Sequence, residues 1–328
     1  MSTSLRVHTE YWKAKAPFRI SGHSWEGFDL VVCELRENGV VGRGEAAGVF
    51  YLDETPEQIE GQIGSVAREL EHGLNRDALL ELLPPGGARN ALDCALWDLE
   101  ARKTGRSAWT RAGVAPKPVT TVYTIGLEDT PEAMGAKAAE ARDRPLLKVK
   151  LAADRPVERL RAIRAARPDA RLIADCNGSW SFEQLREWAP QLRALDLALL
   201  EQPLARGADA ALAHYDAPLP LFADESCLHL AELPHAVDHY DGIVIKLDKT
   251  GGLTEALMLA NAAQRAGLRL MVGCMVATSL SMAPAHVLAQ RCEFVDIDGP
   301  LLLEQDRGNG LRYEGAAVTV PKEILWGM

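Results

Sequence analysis

The chain has 328 residues, of which 47% are hydrophobic and 25% are charged, and its formal net charge is −10. These proportions are typical of a soluble globular protein, and the negative charge argues against nucleic-acid binding, which usually requires a basic face. The length suits a barrel of about 250 residues together with a smaller domain.

Cysteine usage and the N-terminus indicate where the protein resides. The six cysteines form no CxxC pair, which is typical of reduced thiols in a cytoplasmic protein and indicates neither a disulfide framework nor a zinc ribbon. The N-terminus has no charged stretch leading into an apolar run, and no apolar run approaches the roughly 18 residues of a membrane-spanning helix. We therefore expect a cytoplasmic protein that binds neither membrane nor nucleic acid.

Residues 1–118 are predicted to form an α+β capping domain. Residues 29–35 (DLVVCEL) read as a strand, and the Glu-Asn-Gly sequence at 37–39 reads as a hairpin turn. Apolar residues at helical spacing predict helices over 55–72 and 90–104. The first of these helices opens with a Thr-Pro-Glu cap and first-turn proline.

Residues 119–300 alternate between short apolar strands and amphipathic helices, which is typical of a parallel α/β sheet. Eight strands can be counted, centred on residues 121–126, 146–151, 171–176, 198–203, 221–226, 242–247, 268–273 and 294–298. Seven helical stretches lie between them, and a tail over 301–328 is predicted to return to the first domain. The expected fold is α/β: a (β/α)7β TIM-like barrel with an N-terminal α+β capping domain.

Charged residues stand at the ends of five consecutive predicted strands. They are Lys148 and Lys150, Asp175, Glu201, Asp224 and Lys246. From Asp175 onward the steps are 26, 23 and 22 residues, each about the length of one strand-helix unit. Because parallel barrel strands all point the same way, these side chains should converge on one rim, where barrel enzymes have their active sites.

Lys148 and Lys150 lie two residues apart, so both side chains should project from one face of the strand. Inside a barrel, two ammonium groups should lower each other's pKa, and a lysine tuned in this way can act as a general base. A solvated strand edge is the alternative for an isolated KxK motif, but the leucines on both sides disfavour it. Lys246 is expected on the opposite side of the ring from Lys150.

The three strand-end carboxylates are hard oxygen ligands without histidine or cysteine among them, which favours Mg²⁺ over zinc. Capping of the following helix is the alternative for each residue alone, but it does not explain acids at three consecutive strand ends. A cation there can hold a substrate carboxylate and stabilise the enediolate formed when the α-proton leaves. Two lysines flanking one carbon favour racemisation or epimerisation.

Asp296 and Asp298 lie two apart on the eighth predicted strand and should face the same way. They offer negative charge to a cationic substrate group such as an ammonium. A strand-end turn before the Gly-Pro pair that follows is the alternative interpretation.

Seven sequence motifs resemble those of a known family. KVKL (148–151), DCN (175–177), EQP (201–203), ADES (223–226) and VIKLDKTGG (244–252) are similar to motifs of the enolase superfamily, in its muconate-lactonizing-enzyme subgroup. GCM (273–275) and DIDGP (296–300) are most similar to dipeptide epimerases of the L-Ala-D/L-Glu type. The resemblance covers nearly the whole chain.

The resemblance implies an isomerase that inverts the α-carbon of the C-terminal residue of an L,L-dipeptide. In that reaction Lys150 and Lys246 are the two acid/base catalysts, and Lys148 stabilises the enolate. The implied Mg²⁺ ligands are Asp175, Glu201 and Asp224. Asp296 and Asp298 are expected to hold the dipeptide's N-terminal ammonium. Further substrate-binding candidates are Thr124, Cys274 and Met275. The resemblance also implies that the chain can form a homo-oligomer.

The first-domain loop departs from the Ala-Glu type. Those enzymes carry an arginine there that pairs with the glutamate side chain, whereas residues 20–29 contain none and only Arg19 precedes them. We therefore expect a non-acidic second residue, hydrophobic or cationic. The residues expected to line its pocket are Trp25, Phe28, Phe50 and Tyr51. Ordinary packing between cap and barrel is the alternative role for these rings.

Several rival activities remain. L-Ala-D/L-Glu epimerase proper, N-acylamino acid racemase and o-succinylbenzoate synthase use the same metal and lysines. The substrates of the last two, and of a muconate cycloisomerase, lack a free ammonium, so the pair at 296 and 298 argues against them. From different classes, the chain could be a noncatalytic peptide-binding barrel, which the intact lysines and carboxylates disfavour, or an aldolase with a Schiff-base lysine.

Overall fold

The computed structural model describes residues 3–322 and 324–328. The chain begins with an antiparallel sheet in the order β1-β2-β3. Its strands are β1 (Ser4–Ile20), β2 (His23–Glu37) and β3 (Val40–Ala46). Asn38 and Gly39, with φ of 50° and 80°, join β2 to β3 and confirm the predicted hairpin turn.

The segment 20–29, predicted as a loop, is instead the tip of a long β-hairpin. Ile20 pairs with His23, and Phe18 with Trp25, across a two-residue Ser-Gly turn. The register shifts just before this tip, so the hairpin bends there. Serines and glycines in the segment weaken its own strand signal, and pairing with the opposite strand imposes the extended conformation.

Five helices complete the capping domain. They are α1 (Pro56–Ser65), α2 (Ala67–Glu71), α3 (Arg76–Leu82), α4 (Gly87–Thr104) and α5 (Ala108–Ala112). The predicted start of α1 is confirmed, because Thr55 and Gln58 form a reciprocal capping box. The helix predicted over 55–72 is divided at Val66, and α3 and α5 were not predicted.

The barrel follows a short strand, β4 (Val119–Thr120). In the described chain, eight parallel strands stand in sequence order around it. They are β5 (Tyr123–Ile125), β6 (Leu146–Lys150), β7 (Arg171–Asp175), β8 (Leu197–Glu201), β9 (Leu221–Ala223), β10 (Gly242–Ile245), β11 (Arg269–Val272) and β12 (Phe294–Val295). The Val122 amide donates to the Val295 carbonyl at 2.8 Å, which joins the first strand to the last. The predicted fold class is confirmed.

Helices follow the barrel strands. They are α6 (Pro131–Glu140), α7 (Pro156–Ala166), α8 (Phe182–Ala194), α9 (Leu233–His239), α10 (Leu247–Thr250), α11 (Leu253–Arg265) and α12 (Ser279–Ala289). All of them except the single turn α10 cover the outside of the barrel. Between β8 and β9 the described chain forms a 3-10 helix, Ala210–His214, instead of a full α-helix.

The tail crosses back to the capping domain. It contains α13 (Gly299–Leu302), β13 (Tyr313–Glu314) and β14 (Ala317–Val318), and β14 pairs with β4. The Trp326 indole donates to the Cys94 carbonyl at 2.9 Å, and the Gly327 amide donates to Asp98 at 2.7 Å. Both acceptors lie on α4. The domain limits at residues 118 and 300 stay a prediction.

Searched over the residues that are described, the structure has no helix long and apolar enough to cross a membrane.

An apolar layer fills the barrel interior and forms the floor of the site. Each strand contributes one buried residue to it, either within the strand or directly before it: Val122, Leu146, Ile173, Leu199, Phe222, Val244, Met271 and Phe294. Because side chains alternate along a strand, the residues two positions further on point into the same interior, one layer higher. This spacing places the next layer at the carboxyl ends of the strands.

One prediction concerns His286, which is fully buried in α12 with its ring centre 6.2 Å from that of Trp109. Burial lowers the pKa of His286 to about 4, whereas an unfolded histidine titrates near 6.5. Between these values the unfolded chain binds the extra proton, so stability should fall by up to about 3 kcal/mol as pH drops from 6.5 to 4. Urea midpoints at pH 7 and pH 5 measure this effect.

The His286→Leu variant should lose less stability than the wild type over that interval. An identical loss in both proteins would contradict the assignment to His286.

Candidate active site

The layer above the apolar floor consists of polar and charged residues. It contains the residue two positions after each floor residue, namely Thr124, Lys148, Asp175, Glu201, Asp224, Lys246, Gly273 and Asp296. All seven side-chain-bearing members are buried. The strand periodicity therefore converts a sequence pattern into a ring of charge at the mouth of the barrel.

Asp175, Glu201 and Asp224 are brought together at consecutive strand ends. Carboxylate oxygens of all three lie within 4.8 Å of one another, and none of the three is exposed. Burial, and then the negative charge of Asp175, raises the pKa of Glu201 well above its usual range. Such crowding of buried carboxylates is costly unless positive charge balances it.

A divalent cation fits this cluster. Glu201 Oε2 is 2.8 Å from the Lys148 ammonium but accepts no hydrogen bond from the described residues, so one buried oxygen keeps a free lone pair. Apart from the exposed Asp29 of the cavity lining, six carboxylates around the site face four ammonium groups, which leaves a formal excess of two negative charges. The carboxylates are Asp175, Glu201, Asp224, Glu225, Asp296 and Asp298, and the ammonium groups are Lys148, Lys150, Lys246 and Lys249. An all-oxygen ligand set suits Mg²⁺.

Two lysines flank the carboxylate cluster. Lys150 Nζ is 2.6 Å from Asp175 Oδ2, and Lys246 Nζ is 2.6 Å from Asp224 Oδ2. Both lysines also line one cavity of about 240 Å³. Each lysine thus contacts a different outer carboxylate of the cluster while facing the same enclosed space.

Lys148 does not have the lowered pKa expected from its neighbour Lys150. Burial alone lowers the pKa of Lys148, but Asp296, Glu201 and other carboxylates outweigh it and raise the pKa well above its usual range. The expectation is wrong because carboxylates from other strands outweigh both ammonium repulsion and burial. Lys148 Nζ lies 2.9 Å from Asp296 Oδ2 and 2.8 Å from Glu201 Oε2, so attraction dominates.

Lys249, for which the sequence suggested no catalytic role, supports the cluster from behind. Its ammonium donates to Asp224 Oδ1 at 2.7 Å, to the Asp224 carbonyl and to the carbonyls of Val244 and Cys227. The side chain is fully buried. Asp224 is therefore held between Lys246 on the cavity side and Lys249 on the far side.

The cavity collects most of the predicted site residues. Those that line it are Trp25, Phe28, Phe50, Tyr51, Thr124, Lys148, Lys150, Lys246, Cys274, Met275, Asp296 and Asp298. Asp175, Glu201 and Asp224 lie beneath the lining. The structure thus places the predicted residues in one region, while their individual roles stay predictions.

Asn177 and Glu225 also line the cavity, although the sequence suggested no direct role for them. Asn177 accepts from Lys150 at 3.3 Å and donates to Glu225 Oε1 at 3.3 Å. Burial, and then the charge of Asp224, raises the pKa of Glu225 to about 7. Glu225 directly follows Asp224, and Asn177 lies two residues after Asp175, so closeness to strand-end acids was the signal that could have identified them.

Asp296 and Asp298 follow the end of β12, whereas the sequence predicted them within that strand, and both are near Cys274. Ligand atoms of these three residues lie within 4.8 Å of one another. Asp298 Oδ2 accepts from the Thr124 amide at 2.7 Å, and burial together with Asp296 raises the pKa of Asp298 to about 8. A positively charged group next to the pair relieves this repulsion.

An aromatic wall closes the cavity from the capping domain. The Phe50 ring centre lies 5.0 Å from that of Trp25 and 5.1 Å from that of Tyr51, both edge-on, and Trp25 is 6.1 Å from Phe28. The buried Tyr51 hydroxyl has no hydrogen-bond partner among the described residues. Arg19 lies outside the lining and pairs with Asp129 at 3.0 Å at the surface.

These features define a class of α/β-barrel proteins in which an acidic cation site lies between two lysines under a separate capping domain. Two family models match the chain: mandelate racemase / muconate lactonizing enzyme, N-terminal domain, over residues 2–111, and enolase C-terminal domain-like, over residues 133–327. The chain belongs to this mandelate racemase / muconate lactonizing enzyme family of the enolase superfamily, as its motifs predicted.

Individual relatives extend over nearly the whole chain. It is 42% identical to L-Ala-D/L-Glu epimerase of Escherichia coli, covering 94% of this chain and 97% of the relative. Its structure is similar to that of an enolase family member from Agrobacterium tumefaciens with homology to dipeptide epimerases, solved with sodium and L-Ala-L-Glu (TM-score 0.97, 44% identity, 99% and 100% coverage). A dipeptide epimerase from Enterococcus faecalis, complexed with Mg and L-Leu-L-Tyr, is also similar (TM-score 0.90, 27% identity, 100% and 99% coverage).

The cluster geometry predicts a stabilising divalent-cation site. Mg²⁺ that binds only the folded chain should stabilise it by about 2.7 kcal/mol at one hundred times its dissociation constant, which raises the melting temperature. Glu201→Gln removes one charge from the cluster and should weaken Mg²⁺ binding at least about tenfold in calorimetric titration. Asp93→Asn, a buried carboxylate outside the cluster, should bind Mg²⁺ as the wild type does. Equal binding by Glu201→Gln and wild type would contradict the assignment.

Proposed function

We propose that this chain is a Mg²⁺-dependent dipeptide epimerase that inverts the α-carbon of the C-terminal residue of an L,L-dipeptide. The observation that carries the proposal is the pair of lysines from β6 and β10, which face one cavity and each contact a different carboxylate of the same cluster. Inversion at a single carbon requires two proton carriers, one for each face of that carbon, and two lysines that face one cavity can serve in this way.

The chain's residues divide the chemistry between them. One of Lys150 and Lys246 takes the α-proton from one face of the substrate carbon, and the other returns a proton to the opposite face. Lys148, which precedes Lys150 by two residues on β6 and pairs with Asp175 and Glu201, neutralises charge that develops on the substrate carboxylate. Mg²⁺, when held by Asp175, Glu201 and Asp224, supplies Lewis-acid stabilisation of that charge. Aromatic rings of the capping domain line the cavity beside these lysines.

Asp296 and Asp298 support a dipeptide as the substrate. They present two buried carboxylates on the cavity wall. Of these two, Asp296 pairs with Lys148 and Asp298 does not. Burial, and then repulsion from Asp296, raises the pKa of Asp298 to about 8, and a substrate ammonium beside Asp298 would offset that repulsion. The substrates of an N-acylamino acid racemase or an o-succinylbenzoate synthase lack that ammonium, so this pair favours the dipeptide.

We further propose a non-acidic second residue, hydrophobic or cationic. The rings of Trp25, Phe28 and Phe50 line the cavity, as do the carboxylates of Asp29 and Glu225. An acidic side chain would meet negative charge without an arginine partner. The two most similar proteins described above are named for, or bound to, an Ala-Glu dipeptide. L-Ala-D/L-Glu epimerase proper is therefore the second candidate.

The first test follows proton exchange. The protein with Mg²⁺ and pools of L,L-dipeptides in D2O should give a one-unit mass gain at the C-terminal residue. Lys150→Ala and Lys246→Ala should each lower inversion by about 10³-fold. Each should keep exchange of one isomer, L,L or L,D, because the remaining lysine still serves one face. Inversion near the wild-type rate in either variant would exclude the two-lysine mechanism.

A second test addresses selectivity. Wild-type kcat/KM should be higher for L-Ala-L-Phe or L-Ala-L-Lys than for L-Ala-L-Glu. Trp25→Arg places a cation in the aromatic wall and should shift the Glu-to-Phe ratio by about tenfold or more toward Glu. Tyr11→Arg, on the same hairpin but 62% exposed and outside the cavity lining, is the control and should leave the ratio unchanged. A wild-type optimum at L-Ala-L-Glu would establish the second candidate instead.

A further inference from the structure

Asp248 occupies an unusual position between the two domains. It lies in α10, the single turn that follows Lys246, and is buried at 2% exposure. Its Oδ1 accepts from the backbone amides of Ala47 and Gly48, both at 3.0 Å. A carboxylate of the barrel therefore holds two consecutive amides of the capping domain.

Those amides belong to a segment that covers the substrate cavity. We call residues 47–52 the cover segment, and Ala47, Gly48, Phe50 and Tyr51 of it line the cavity. The next amide, that of Val49, is held by Glu54 at 2.7 Å. Three successive amides of the cover segment are thus fixed by two carboxylates, and Asp248 is the one that belongs to the barrel.

The turn that carries Asp248 also carries two lysines of the site. Lys246 faces the cavity and contacts Asp224, and Lys249 holds Asp224 from behind. The amides of Lys249 and Thr250 donate to the Lys246 carbonyl, which keeps the turn compact. The same few residues therefore fix Lys246, the cation cluster and the cover segment relative to one another.

Resting on the proposed function, we propose that Asp248 is a positioning residue that sets the height of the cover segment above the site. Through Ala47 and Gly48 it places the Phe50 and Tyr51 side chains against the second residue of the dipeptide. Substrate affinity and side-chain selectivity depend on this contact, while proton transfer by the lysines does not.

Asp93 provides a matched control. It is also fully buried at the junction, and it accepts from the Thr254 amide at 2.9 Å and from the Thr254 hydroxyl at 2.5 Å. Its partners are outside the cavity lining. Loss of Asp93 should destabilise the junction without moving the cover segment.

The experiment combines kinetics with hydrogen exchange. Asp248→Ala should raise KM for the preferred dipeptide about tenfold or more with kcat within about threefold of wild type, since two charge-assisted hydrogen bonds are lost. Exchange protection of the Ala47 and Gly48 amides should fall about tenfold or more. Asp248→Asn keeps one side-chain oxygen that can accept hydrogen bonds from both amides, so its KM and its amide protection should be close to those of the wild type. Asp93→Ala should change neither KM nor this protection.

Two results would overturn the proposal. The first is that Asp93→Ala and Asp248→Ala change KM and amide protection equally. The second is that kcat of Asp248→Ala falls by as large a factor as its KM rises. If Asp248→Ala does not fold, Asp248→Ser gives the same comparison, because its hydroxyl is too short to reach both amides. If the wild type inverts no dipeptide, the proposed function fails, and exchange at Ala47 and Gly48 still decides whether Asp248 holds the cover segment.

Discussion

Attraction between buried carboxylates and buried ammonium groups at the barrel mouth is the interaction on which the rest of the structure depends. An ionised group removed from water without a partner costs several kcal/mol, and here acids and lysines occupy consecutive strand ends above an apolar floor. Each group is tolerated only because its neighbour carries the opposite charge, as Lys150 does for Asp175 and Lys246 for Asp224. The ion pairs therefore form only if neighbouring strands keep their register. The register of the barrel thus fixes the geometry of the site.

The junction between cap and barrel follows the same principle. Glu45 reaches from the capping sheet to the amide and hydroxyl of Thr278, Asp93 reaches from α4 to Thr254, and Asp248 reaches from the barrel to the cap. Each contact pairs a buried carboxylate with donors of the other domain, and such directed hydrogen bonds specify one docking arrangement. Apolar packing alone would allow the capping domain to slide along the barrel. The aromatic wall consequently stands at a defined height over the lysines.

The sequence predicts what depends on local periodicity and misses what depends on distant contacts. The eight strands and their terminal acids and lysines follow from alternation and from a regular repeat length, so the site ring was predictable. The hairpin tip at 20–29 was missed because its pairing partner supplies the strand conformation. The pKa of Lys148 was misjudged because Asp296 approaches it from a strand about 150 residues away. Asp248 gave no signal either, since Ala47 and Gly48 lie about 200 residues from it in the chain.

The long hairpin of β1 and β2 places part of the aromatic wall in a different domain from the ring of buried acids and lysines. Trp25 lies near its tip, beyond the register shift, Phe28 lies just before that shift, and the charged ring belongs entirely to the barrel. Substitutions at the tip can therefore change the shape and charge of the side-chain pocket without disturbing the buried ion pairs. In such a protein, a few substitutions near the surface can change substrate selectivity during evolution, while the buried acids and lysines stay unchanged.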